Sequence, residues 1–304
     1  MEKVLVIVGP TAVGKTALSI HLAKKLGGEI ISGDSMQVYR RLDIGTAKAD
    51  AEERAGIPHY LIDCRDISET YSAADFQQEG RKRIREITER GKLPIIVGGT
   101  GLYIQSLLYD FQLGSQKEET PEIREKYEAF AEAKGNEALW QLLLEKDPTA
   151  AAAIHFNNRK KVVRALEVFE VTGYSILTPK EQPALLYDYF MIGLETERSF
   201  LYDRINQRVD LMLKQGLLTE AKLMNDNKEA QAAQGIGYKE FFPYFDGNIS
   251  LDEAVEQVKQ NSRRYAKRQL TWFRNRMDVE WFDLLQQPDE LNQLEQQVVQ
   301  WLEK

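Results

Sequence analysis

The residues best placed to do chemistry stand near the start of the chain, where Gly9-Pro10-Thr11-Ala12-Val13-Gly14-Lys15-Thr16 follows the spacing G-x-x-x-x-G-K-T. Glycines at both ends let the backbone curl so that its N–H groups converge on an anion. The N-terminus of a following helix adds positive potential, and Lys15 neutralises a phosphate oxygen. Thr16 supplies the hydroxyl expected to hold Mg2+ beside such an anion. These features predict a polyphosphate or diphosphate site, but they leave open whether a phosphate is transferred or leaves as intact diphosphate. A second candidate is Asp34, which follows the apolar pair Ile30-Ile31 and so stands at the C-terminal end of a strand, the edge where open α/β sheets bind ligands. There it either holds magnesium through water or accepts a proton from an incoming nucleophile; the plainer alternative is a cap on the next turn.

Charge supplies the next signal. With 40 basic and 47 acidic side chains the net charge is −7, an unpromising average for a protein that binds nucleic acid. The distribution is uneven, however. Residues 155–164 carry Arg159, Lys160, Lys161 and Arg164, and residues 263–276 carry Arg263, Arg264, Lys267, Arg268, Arg274 and Arg276, with no acid in either stretch. Local positive surfaces on an acidic body can still bind phosphates. In the second stretch Tyr265, Trp272 and Phe273 fall close to two helical turns apart, so they are expected to pack on the sheet while the basic side faces outward.

Positioning these groups requires a particular order of elements. Strand-like runs over 4–8, 29–32 and 93–97 are separated by helical patterns over 15–26 and 73–90, which predicts an α/β fold: a P-loop NTPase-like parallel sheet flanked by helices. A stretch from about 117 shifts to Ala, Glu, Lys and Leu with few strand signals, and reads as an all-helical insertion domain over 117–186. The catalytic core is then discontinuous, over 1–116 and 187–304, with a strand over 189–194, a helix over 198–215 stopping at Gly216, a long helix over 251–275 and a last strand over 279–282. One cysteine, Cys64, and three histidines give no disulfide or zinc framework. No wholly apolar run is longer than that of Val4 to Val8, which is far short of the roughly 20 residues of a membrane span. The chain opens Met-Glu-Lys-Val without a secretory pattern, so the expectation is a soluble cytoplasmic protein, a monomer, with no membrane partner.

The block Asp34-Ser35-Met36-Gln37-Val38-Tyr39-Arg40-Arg41-Leu42-Asp43-Ile44-Gly45-Thr46-Ala47-Lys48, read with the phosphate loop, resembles the tRNA dimethylallyltransferases of the IPP transferase family. So do His59-Tyr60-Leu61-Ile62-Asp63, Gly98-Gly99-Thr100-Gly101-Leu102-Tyr103, Gly235-Ile236-Gly237-Tyr238-Lys239-Glu240 and Lys267-Arg268-Gln269-Leu270-Thr271-Trp272-Phe273-Arg274. Ala49 stands where the pattern leads one to expect proline, and the zinc finger of eukaryotic relatives is absent. The resemblance implies transfer of a dimethylallyl group from dimethylallyl diphosphate to N6 of the adenosine next to the anticodon of tRNA, with diphosphate as leaving group. It further implies that Arg208 reaches the diphosphate with Lys15 and that Thr100 lines the channel where amine and allylic carbon meet; because an adenine amine is a poor nucleophile, Asp34 is the candidate base that takes up its N6 proton. Ser35, Met36 and Gln37 would contact the flipped base or its neighbours. Arg124, Asn158, Arg159, Lys160, Lys161 and Val162 would grip the anticodon stem-loop.

Two other classes share parts of this pattern. A small-molecule P-loop kinase would use ATP and treat the insert as a lid, and a non-enzymatic switch would bind RNA only when loaded with nucleotide. Prenylation of free adenine nucleotides would leave the basic insert without a purpose.

Overall fold

Val4, Leu5, Val6, Ile7 and Val8 are all fully buried, which requires a strand covered on both faces. They belong to β1 (Lys3–Val8), the interior of a sheet completed by β2 (Gly28–Ser32), β3 (His59–Tyr60), β4 (Leu93–Gly98), β5 (Asp188–Leu194) and β6 (Glu280–Phe282). The strand order is β3-β2-β4-β1-β5-β6, and every neighbouring pair is parallel. In this computed structural model residues 1–111, 121–178 and 183–304 are described. The expected start of the insert at 117 lies outside them.

The chain divides into two compact units, Met1–Asp110 with Leu185–Lys304, and Phe111–Ala184. In the first, the chain leaves β1 toward β2 and β4 on one side and returns to β5 and β6 on the other, so the connections diverge at β1. Open sheets bind ligands at such a divergence, beyond the C-terminal strand ends. The register brings those ends level: Val8 lies opposite both Gly98 and Gly193, and Ser32 opposite Val97. The loops that begin at Gly9, Gly33 and Gly99 therefore share one edge of the sheet.

Each face is closed by helices whose apolar positions recur at helical spacing. Leu18, Leu22 and Ala23 of the helix Lys15–Leu26 cover one face together with Leu294, Val298 and Trp301 of the C-terminal helix Glu290–Glu303. Phe76, Ile84 and Ile87 of the helix Ala73–Glu89 and Val258 and Phe273 of the helix Leu251–Arg276 cover the other. A fully buried Leu, Ile or Phe contributes roughly 1.5–3 kcal/mol through apolar transfer, so these rows anchor the helices. Starts and stops are chemically marked: Ser72 with Asp75 and Ser250 with Glu253 form reciprocal capping boxes, and Gly216, at φ 109°, ends the helix Arg198–Gln215.

Phe273 enters the core as expected, but Tyr265 does not, and Trp272 is only partly buried. Both lie beside the turn after β4, as described below. The two-residue β3 at the sheet edge had no apolar run to announce it.

The second unit consists of the helices Pro121–Lys134, Asn136–Lys146, Pro148–Ala153 and Arg159–Thr172. Its core is built from Tyr127, Leu139, Leu143, Ala150, Val162 and Leu166 among others. The fully buried Glu167 is held there by Arg124 at 3.1 Å and Arg164 at 2.9 Å. Two guanidinium groups supply the hydrogen bonds that a buried carboxylate needs.

Candidate active site

The phosphate loop leaves β1 at Gly9, where φ is 143° and a Cβ would fall 2.4 Å from the Leu194 carbonyl oxygen. Only glycine allows the loop to lie this close to the end of β5. Gly14, at φ 99°, opens the helix Lys15–Leu26, whose first turn carries no acid to neutralise its free amides. Between them Ala12 sits at φ 65°, a left-handed conformation that costs a non-glycine residue about 1–2 kcal/mol. Arg204 holds it there by donating from Nε to the Ala12 carbonyl at 3.0 Å.

Two cations meet at this loop. Lys15 arches back so that Nζ donates to the carbonyls of Gly9 at 2.9 Å and Pro10 at 2.6 Å. Burial and the neighbouring Arg208 bring its pKa down from 10.5 to about 7, against the attraction of Asp34. Arg208 donates to Thr11 Oγ1 at 3.4 Å, and burial lowers its pKa despite Asp34 and Glu53. Both shifts come first from burial, which penalises the charged forms, so an anion bound beside Lys15 and Arg208 would favour their charged forms again.

Thr16 is exposed on the first turn of the helix. Among the described residues no group of three or more His, Cys, Asp or Glu side chains converges to hold a metal by itself. A Ser or Thr hydroxyl after the phosphate-loop lysine is a donor such loops offer to a Mg2+ that keeps waters and takes its other oxygens from phosphate. The donor set fits a magnesium ion carried in with the anion.

The turn after β2 presents Asp34. Its Oδ1 accepts from the amides of Met36 at 2.8 Å and Gln37 at 3.3 Å, so the carboxylate does cap the turn. That role occupies one oxygen; Oδ2 has no hydrogen bond among the described residues. Gln37 helps tie this loop together: its Oε1 accepts from Ser32 Oγ at 2.9 Å and its Nε2 donates to the Thr46 carbonyl at 3.1 Å. Met36 lies over Gly235, where a Cβ would come within 2.6 Å of its Cε.

Thr100 begins the helix Gly101–Leu108 at the N-cap position, yet its hydroxyl makes no capping bond. Oγ1 accepts from the Ser35 amide at 3.2 Å and lies 3.4 Å from Ser35 Oγ. The structure thus brings Lys15, Arg208, Asp34, Ser35 and Thr100 to one edge of the sheet.

Several supporting residues escaped the sequence reading. Gln269 is 5% exposed and spans two loops, accepting from the Thr11 amide at 3.3 Å and donating to the Gly99 carbonyl at 3.1 Å. Glu220 accepts from the consecutive amides of Asp43 at 2.9 Å, Ile44 at 2.8 Å and Gly45 at 3.0 Å, and from the Tyr238 hydroxyl at 3.0 Å. Glycine is required at position 45, since a Cβ would come within 2.5 Å of that hydroxyl. Gln269 and Tyr238 lie in the segments 267–274 and 235–240 that carry the resemblance, but a buried amide or phenol has no spacing signature to reveal its partner.

Among the candidates in the second unit, Val162 is fully buried in the helical core and supports that surface from beneath. A contact with RNA by its side chain is excluded. The acids missing near Lys160 in sequence are supplied in space by a neighbouring helix: Arg159 pairs with Glu128 at 2.5 Å and Glu132 at 3.3 Å. Arg124 is held by Glu167. Lys160 and Lys161 remain exposed and carry no ion pair among the described residues, and Asn158 stands exposed at the N-cap with no capping bond.

Residues 37–276 match the family model described as IPP transferase. A tRNA dimethylallyltransferase of Enterococcus faecalis is 74% identical over 305 aligned residues, covering 100% of this chain and 99% of its own. One from Bacillus cytotoxicus is 58% identical, covering 93% of this chain and 90% of its own. Among solved structures, a tRNA isopentenylpyrophosphate transferase of Bacillus halodurans superposes with a TM-score of 0.76 at 50% identity, over 100% of this chain and 97% of that one. A eukaryotic dimethylallyltransferase acting on tRNA gives 0.82 at 33% identity, over 97% and 78%.

Proposed function

The chain belongs to the IPP transferase family, and from that premise we propose that it moves the dimethylallyl group of dimethylallyl diphosphate to N6 of the adenosine next to the anticodon of tRNA, releasing diphosphate. The observation that carries this reading is the meeting, at one sheet edge, of a phosphate loop that gathers Lys15 and Arg208 and a carboxylate, Asp34, with one oxygen unused by its turn. The bond between the allylic carbon and the diphosphate oxygen breaks as the bond to N6 forms. Negative charge then builds on diphosphate, where Lys15, Arg208 and the loop amides stabilise it. The N6 proton passes to Asp34 Oδ2, the oxygen not used by the turn. Magnesium, held by Thr16, supplies further neutralisation of the leaving group when bound.

The same family relationship favours prenyl transfer over the ATP-dependent kinase chemistry that the loop alone permits. Lys160, Lys161, Asn158 and the paired Arg159 and Arg124 are the polar side chains of the helical insert assigned to the anticodon stem-loop. No helix among the described residues is long and apolar enough to cross a membrane; that the protein acts on tRNA as a cytoplasmic monomer is part of the same proposal. The test is to incubate the protein with magnesium, unmodified tRNA and either dimethylallyl diphosphate or ATP, digest the RNA and weigh its nucleosides. A dimethylallyl increment on adenosine is expected. Unmodified RNA, with ATP consumed on addition of a small metabolite, would replace this reading with a kinase.

A further inference from the structure

We propose that Gln269 is a positioning residue that sets the distance between the diphosphate loop and the Thr100 turn, and with it the alignment of the allylic carbon with the acceptor amine. The proposal rests on the prenyl-transfer reading for the identity of the two reactants; the juxtaposition itself does not. Gln269 lies on the helix Leu251–Arg276, beneath both loops, and its amide is divided between them. Oε1 takes the Thr11 N–H of one at 3.3 Å, and Nε2 gives a hydrogen bond to the Gly99 carbonyl of the other at 3.1 Å.

The surroundings allow little alternative placement. A Cβ at Gly99 would lie 1.9 Å from Gln269 Nε2, and one at Gly101 would lie 2.2 Å from Trp272 Cδ1. Glycines on either side of Thr100 thus let the turn settle directly on the helix. Tyr265, one helical turn before Gln269, is within reach of the side chains of both Thr100 and Gln269. Tyr265, Gln269 and Trp272 form one row along the helix, and that row carries the turn that presents the Thr100 hydroxyl.

Glutamine suits this position because its amide accepts at one end and donates at the other. A leucine would leave the buried Gly99 carbonyl without its donor. An ionised glutamate would keep the bond from Thr11 but face the Gly99 carbonyl with a second acceptor. A protonated glutamate restores both bonds, since its carbonyl accepts and its hydroxyl donates. Loss of the bridge does not remove any group that binds diphosphate; it frees the Thr11 amide. The effect therefore falls on alignment, where small misplacements slow reactions by about 100-fold.

The experiment measures single-turnover prenyl transfer to tRNA, affinity for inorganic diphosphate with magnesium, and thermal unfolding, for the wild type, Gln269→Leu and Gln269→Glu. Gln269→Leu should lose on the order of 10- to 100-fold in transfer rate while its diphosphate affinity stays within about threefold of wild type. The rate of Gln269→Glu relative to wild type should climb as pH falls, and that of Gln269→Leu should not. Where Gln269→Leu fails to fold, this pH-dependent ratio carries the test alone, measured at temperatures where Gln269→Glu is folded. Wild-type transfer rates in Gln269→Leu, a proportional loss of rate and diphosphate affinity, or a flat ratio for Gln269→Glu would overturn the proposal and leave the prenyl-transfer reading intact. Absence of transfer by the wild type would instead defeat that reading, and this proposal with it.

Discussion

The Thr100 hydroxyl lies 3.2 Å from the Ser35 amide nitrogen and 3.4 Å from Ser35 Oγ, across a sequence separation of 65 residues. An N-cap threonine would ordinarily satisfy the amides of its own helix. Here the side chain is turned away from the helix and joins the turn after β4 to the turn after β2, beside Asp34.

This geometry separates two effects of substitution at position 100. Thr100→Ser keeps the oxygen and should retain most of the transfer rate. Thr100→Val keeps the shape and removes the acceptor, so the Ser35 amide loses its partner, and a fall in kcat of about fivefold is expected from loss of one hydrogen bond, worth roughly 1 kcal/mol, at the reacting centre. Because no capping bond is lost, the stability cost should be limited to that one bond, roughly 1 kcal/mol. A loss of stability with a wild-type rate would show the hydroxyl to be structural.

Asp34 needs a similar division, since one oxygen caps a turn and the other is free. Asn at this position can still accept from the Met36 and Gln37 amides, so Asp34→Asn should fold normally and bind diphosphate, while losing about 10²–10⁴ in single-turnover rate. Asp34→Ala removes the cap as well and should add a stability loss of about 1 kcal/mol. Rates unchanged in Asp34→Asn would take the carboxylate out of the proton transfer.

How far the sequence reveals this site depends on the kind of interaction involved. The phosphate loop was legible because its chemistry depends on glycines and a lysine at fixed local spacing, and the sheet because doubly covered strands must be continuously apolar, as Val4 to Val8 are. The helices over 15–26 and 198–215 match at both ends because Gly14 and Gly27 bound the first, and the Glu197 side-chain cap and Gly216 bound the second. Gln269, Glu220 and Arg204 were not legible. Their partners lie at Thr11, Gly45 and Ala12, brought near by the fold alone. Val162 shows the opposite limit, since its place in a basic run suggested exposure and only the helix's phase buried it.

Lys15 gives the site a signature in pH. In the free protein its pKa is lowered from 10.5 to about 7, first by burial and then by Arg208. A bound diphosphate favours the charged form, so above about pH 7 binding must be accompanied by proton uptake, and the affinity owed to Lys15 should fall by up to about tenfold per pH unit. Calorimetry in buffers of different ionisation enthalpy measures the uptake directly; Lys15→Met, in which the titrating group is gone, corrects for the titration of diphosphate itself. The same shift acts on folding with a definite sign. Between about 7 and 10.5 the unfolded chain binds the proton and the native one does not, so this residue's contribution makes the free protein more stable as pH rises through that window. Equal uptake in wild type and Lys15→Met would refute the assignment.

The basic residues of the insert divide into paired and unpaired, and salt distinguishes them. Arg159 and Arg124 already give their charge to Glu128, Glu132 and Glu167, so a phosphate must compete with those acids for them. Lys160 and Lys161 are exposed and carry no ion pair among the described residues. Neutralising a phosphate with such a lysine releases a condensed counterion, and each contact with single-stranded RNA contributes about −0.7 to the slope of log affinity against log salt, slightly more in a duplex stem. Lys160→Ala with Lys161→Ala should therefore flatten that slope by about one to two units and weaken tRNA binding at low salt, with diphosphate affinity untouched. Arg159→Ala should flatten it less and should also loosen the helical unit, because it strands Glu128 without its partner. If the double lysine variant bound tRNA with the wild-type slope, the anticodon stem-loop would have to be held by other groups, and the exposed residues of 263–276 would be the next to test.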